Sequence, residues 1–160
     1  MPPMLVPLLL ASLLAAPAGA GSLDGVWRLV EQRYGDGSAN LVAPDKTMLI
    51  EFTRAGALVE GTVRAGPGAS SRFPWPAFVT DEGPVPVRVA DLTVDPSGSS
   101  VTARYFVQPS AADDLVLEIV ERYEAGGDGR TLTGTMTVRF TGGETNRGGY
   151  VLHRRFERER

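Results

Sequence analysis

Apolar side chains recur at every second position along this chain, in short runs separated by turn formers. In Asp114–Glu124, Leu115, Leu117, Ile119, Glu121 and Tyr123 share one face. In Arg130–Phe140, Leu132, Met136, Val138 and Phe140 face one way, and Thr131, Thr133, Thr135 and Thr137 the other. Successive side chains of a strand point to opposite faces, so a period of two marks a half-buried strand. No stretch carries the apolar spacing of a convincing amphipathic helix. A chain patterned this way must build sheet.

Eight strands are predicted: Gly25–Arg33, Lys46–Arg54, Ala57–Ala65, Val85–Val94, Ser100–Gln108, Asp114–Glu124, Arg130–Phe140 and Tyr150–Arg158. In the first, Trp27, Leu29 and Glu31 fall on one face. In the fourth the alternation changes phase between Val89 and Leu92, which is the signature of a bulge. Mostly short turns join the strands, among them Ala55-Gly56, Asp95-Pro96-Ser97-Gly98 and Gly126-Gly127-Asp128-Gly129. A meander leaves two open edges, and curling until the first and eighth strands pair removes both. The expected fold is an all-β, eight-stranded antiparallel up-and-down barrel, with a β-sandwich of the same strands as the alternative.

The segment from Gly66 to Pro84 breaks the rhythm. It carries Phe73, Trp75 and Phe78 between prolines, more aromatic surface than a solvated loop favours. Either it is a flap over a cavity mouth, or it folds back to plug the barrel end or cover an edge; the second is preferred here.

Residues 1–20 carry no charged side chain, and Leu5–Ala16 is an apolar run followed by Ala18-Gly19-Ala20. This reads as a secretory signal peptide cleaved after Ala20, leaving a single domain over 21–160 and an address in the periplasm or outside the cell. The run is shorter than the ~20 residues that a membrane span requires, and no stable span is expected after cleavage. The chain has no cysteine, which removes disulfides, thiolate chemistry and cysteine metal sites. An exported domain without disulfides is held by its core, and ~140 residues suffice for one. A net charge of −3 gives no footprint for nucleic acid.

The opening Gly25-Val26-Trp27-Arg28-Leu29-Val30 resembles the Gly-x-Trp start of lipocalins and bacterial lipocalin-like domains. The run Leu49–Leu58 resembles their second strand, hairpin turn and third strand. A shorter relative in the calycin group, of fatty-acid-binding or avidin-like size, fits equally well. The resemblance implies a lipocalin-like barrel in which the opening tryptophan packs at the closed end against an arginine from near the C-terminus. Gly25 and Trp27 then have structural roles, and Arg154 and Arg155 are the candidates for that arginine. A guanidinium over a buried indole adds ~0.5–2 kcal/mol.

The inward faces are largely apolar, so a cavity for a small hydrophobic or amphipathic molecule is expected, lined by Phe52, Tyr105, Met136 and Arg154 with Trp75 from the long segment. The alternative is a completely filled barrel. Gly61 and Gly134 leave space if they face inward. Glu31, Glu121 and Arg154 interrupt the same faces; inside they could pair, or Arg154 could receive a ligand carboxylate, but strand ends in water are the preferred placement. The single histidine, His153, falls on the outer face. No nucleophile elbow accompanies it, and no zinc ligand set is present. No enzyme, metal or cofactor is expected. The expected function is small-molecule binding by a monomer, and the alternative is a filled barrel that contacts a protein partner through residues 66–84, for instance as an inhibitor.

Overall fold

The computed structural model describes residues 21–38, 48–53, 56–62, 70–80, 83–111, 114–142 and 148–160. The signal-peptide expectation, the ends of the second and third predicted strands and the orientation of Gly61 lie outside these descriptions. The described residues form eleven strands: β1 Gly25–Tyr34, β2 Leu49–Thr53, β3 Gly56–Thr62, β4 Ser70–Pro74, β5 Phe78–Thr80, β6 Gly83–Val85, β7 Val87–Val94, β8 Ser100–Val107, β9 Val116–Ala125, β10 Thr131–Thr141 and β11 Gly149–Arg158. There is no helix among the described residues.

Nine strands form one antiparallel sheet in the order β4-β3-β2-β1-β11-β10-β9-β8-β7, and β5 and β6 form a separate hairpin. The first and last strands pair as expected, with Trp27 opposite Arg158 and Leu29 opposite Phe156. The sheet curls into a half-barrel rather than a closed eight-stranded barrel. Closure would require β3 to meet β7, and the segment between them supplies β4 instead. Strand β4 returns along β3, pairing Leu58 with Pro74 and Thr62 with Ser70. The chain then turns inward at Trp75 and runs through β5 and β6 to β7. Where it is described, the segment expected as one long loop thus contributes to three short strands.

The concave face holds the core. Trp27, Ile50, Ala103, Tyr105, Ile119, Leu132, Val138 and Phe156 are completely buried. Along β8, Val101, Ala103, Tyr105 and Val107 alternate with more exposed residues, as a one-sided sheet requires. Fully burying such side chains contributes roughly 1.5–3 kcal/mol apiece.

Two bulges set the faces. In β7 the register slips between Val89 and Asp91, where the phase change predicted it. In β1 it slips between Leu29 and Glu31, which the alternation did not reveal. Glu31 therefore stands outside, opposite Arg155, and Gln32 takes the inward position opposite Arg154. This corrects the expectation that Trp27, Leu29 and Glu31 share a face.

Candidate functional site

Two sheet positions bring charged groups into the middle of the concave face. Glu121 on β9 lies between Ala103 on β8 and Met136 on β10. Arg154 on β11 lies between Gly134 on β10 and Gln32 on β1. Both were preferred at strand ends in water, and both are inside. Glu121 is buried, and only 11% of the Arg154 side chain is exposed. Buried charges persist only where partners replace water. Here the Trp75 Nε1–H donates to Glu121 Oε2 at 2.7 Å, and Arg154 Nη1 stands 3.5 Å from Glu121 Oε1. Arg154 also donates from Nε to Gln32 Oε1 at 2.7 Å and from Nη1 to the Tyr123 hydroxyl at 3.2 Å. Its Nη2 lies 3.3 Å from Met136 Sδ.

Burial pushes the Glu121 carboxyl above its ordinary range, against the opposing pull of Arg154 and the Trp75 hydrogen bond. Burial likewise raises the Tyr105 and Tyr123 phenols, with Glu121 adding to both. The Tyr105 hydroxyl is enclosed without a hydrogen bond of acceptable geometry, although Glu121 is close enough to perturb it.

Aromatic rings fill the space around this pair. Trp75, Phe52 and Tyr123 sit with centroids 5.7–5.8 Å apart, and Phe156 stands 5.7 Å from Tyr123. Gly134 offers no vacancy: a Cβ there would meet Tyr123 Cε1 at 2.7 Å. Its missing side chain is the surface on which the tyrosine ring lies.

An open pocket of about 440 Å³ lies on the other side of Trp75. Leu23, Phe52, Ala57, Trp75, Leu92, Val94 and Val101 form its apolar wall, and Asp24, Thr53 and Ser97 are among its polar groups. The N-terminal segment is held there by the Leu23 N–H, which donates to the Gly98 carbonyl at 3.0 Å, and by the Trp27 Nε1–H, which donates to the Leu23 carbonyl at 2.7 Å. Of the five residues expected to contact a ligand, Phe52 and Trp75 line this pocket, whereas Tyr105, Met136 and Arg154 do not.

The arginine over Trp27 is neither Arg154 nor Arg155. Arg158 lies with its guanidinium 4.2 Å from the indole centroid and donates to the carbonyls of Ser22 (2.8 Å), Asp24 and Gly129 (2.7 Å). Arg155 points outward to Glu31 and Glu157. The antiparallel register explains the correction, because Arg158 is the residue directly opposite Trp27. Gly25 serves the same corner: its φ is +132°, and a Cβ there would meet Arg158 Nη1 at 2.4 Å. His153 is exposed on the outer face.

Among the described residues no group of three or more His, Cys, Asp or Glu is placed to hold a metal, and no helix is long and apolar enough to cross a membrane. Comparison with known families finds no family model that matches the chain, and comparison with curated proteins finds no matching relative.

Proposed function

We propose that this is an exported, lipocalin-like binding protein, periplasmic or extracellular, that holds a small hydrophobic or amphipathic molecule. The observation that supports this reading is the apolar pocket of about 440 Å³ beside Trp75. Its volume falls within the roughly 300–1,000 Å³ of small-molecule sites, and apolar walls with few polar groups are their usual lining. The pocket is lined by the N-terminal segment, the ends of β2 and β7, the starts of β3 and β8, and Trp75, so the ligand would contact Trp75 at that end of the sheet. The polar cluster behind Trp75 anchors one wall of the pocket. The chemistry expected of the site is binding, without catalysis.

Two measurements test the proposal. Native mass spectrometry of protein purified from its own host should retain a co-purifying small molecule. Titration with the amphipathic probe 1-anilinonaphthalene-8-sulfonate should give saturable one-to-one binding, weakened about tenfold or more by Ala57→Trp, which fills the pocket, with thermal stability within ~1 kcal/mol of the parent. Non-saturable probe binding, or binding indifferent to Ala57→Trp, would refute it.

A further inference from the structure

Strand β7 ends the nine-stranded sheet and, among the described residues, pairs only with β8. Its apolar residues Val87, Val89, Leu92 and Val94 stand opposite Val107, Tyr105, Ala103 and Val101, all on the concave face. Yet Val89, Leu92 and Val94 are 47%, 51% and 58% exposed, Leu92 and Val94 along the open pocket beside Trp75. The other edge is blunted: β4 is five residues long and ends at Pro74, which cannot donate to a ladder. β7 is eight residues long, contains no proline or lysine, and carries only a bulge.

That bulge makes β7 a poor mate for a regular strand, which has one residue too few at that point. It is matched by a strand with the same bulge at the same place. The row Val87, Val89, Leu92, Val94 is symmetric about the point between Ala90 and Asp91. We infer that β7 pairs with β7 of a second copy of this chain, antiparallel about a two-fold axis between Ala90 and Asp91. Val87 then faces Val94 of the second copy, and Val89 faces Leu92. Arg88 faces Thr93, and each bulge meets the other, so neither strand has an unmatched residue.

The backbone agrees with this register. All four apolar residues oppose β8 positions of one parity, so their N–H and C=O groups point the same way; Arg88, Asp91 and Thr93 oppose the other parity. Shifting the register by two residues either way sets an inward residue against the bulge or an outward residue. Charge agrees as well: Arg88 lies diagonal to Asp91 of the second copy, and symmetry makes two such pairs. The monomer expected for a closed barrel loses its reason once the barrel is open at β7. The inference goes beyond the ligand-binding reading and does not rest on it.

Sedimentation and light scattering on the purified protein should show a two-chain species that dissociates on dilution. Asp91→Arg and Arg88→Asp should each weaken it about tenfold, by turning two diagonal attractions into repulsions, and R88D/D91R together should restore it to within about threefold. The chain has no cysteine, so disulfides can report the register directly. Directly opposed Cα atoms lie ~4.5–5.5 Å apart, within disulfide reach. A mixture of the Val89→Cys and Leu92→Cys proteins should therefore cross-link under mild oxidation, whereas either protein alone should not, its two thiols being about 10 Å apart along the strands. A single-chain species at every concentration overturns the inference. So does a dimer indifferent to both charge reversals, or a mixture that cross-links no better than its components.

Discussion

Replacing Arg154 with methionine strands a buried carboxylate. Glu121 keeps the Trp75 hydrogen bond but loses the Arg154 guanidinium, 3.5 Å away, while Gln32 Oε1 and the Tyr123 hydroxyl lose the donor they share. Breaking a buried pair from one side costs about 3–5 kcal/mol, because the remaining charge is uncompensated. The cost depends on pH, and its sign follows from the direction in which Glu121 is displaced. Burial raises the carboxyl above the ordinary 4.5, so its stabilising contribution is fully present below that pH and is lost as pH rises through the raised value. Without Arg154 the carboxyl rises further, and the penalty at high pH grows. Urea unfolding of the parent, Arg154→Met and E121L/R154M should be compared at pH 4.5 and pH 8. The single variant should lose about 3–5 kcal/mol at pH 8. At lower pH, where the raised carboxyl takes up its proton, the deficit should shrink toward about 1–2 kcal/mol, the value of the missing hydrogen bonds. The double variant should recover much of the pH 8 deficit, since no buried charge is left uncompensated, the remainder being the Trp75 Nε1–H, Gln32 Oε1 and Tyr123 hydroxyl that lose their partners. A deficit below about 1 kcal/mol at pH 8, or one equal at both pH values, would refute the burial argument.

Arg158→Ala should destabilise the fold by about 2–3 kcal/mol, through loss of the stack on Trp27 and of three carbonyl contacts, while Arg155→Ala should cost under about 1 kcal/mol because its ion pairs are exposed. Equal losses in chemical denaturation would contradict the assignment of the stacking arginine. Gly134→Ala should cost about 1–3 kcal/mol, because its methyl group must displace the Tyr123 ring, and near-ultraviolet circular dichroism should report the shift; an unchanged spectrum with unchanged stability would show that the ring is free to move.

The strands of regular alternation were legible before any coordinates. β8 to β11 bury the side chains that period two selects, including Tyr105, Leu117, Met136 and Phe156. The pairing of first and last strands followed from the need to cover edges. What escaped was set by single-residue insertions and by distant partners. The β1 bulge has no composition signal, and it alone decides that Gln32, not Glu31, meets Arg154. Alternation alone points Glu121 and Arg154 inward, but the hydrogen-bond partner that makes a buried Glu121 tolerable, Trp75, lies 46 residues away in the segment with the weakest pattern. Arg158 could have been found by counting the antiparallel register back from Trp27, but only once the pairing was known.

The position of β11 has a consequence for when this chain can fold. It is the last of the described strands in chain order, yet it sits between β1 and β10 and, among the described residues, is the strand that joins β1–β4 to β7–β10 in the sheet. Until residues 149–158 have left the ribosome, the growing chain holds two unconnected hairpin stacks, and Trp27 lacks its guanidinium cover. Final assembly therefore waits for residues 149–158, with closure of a loop more than a hundred residues long as its late event.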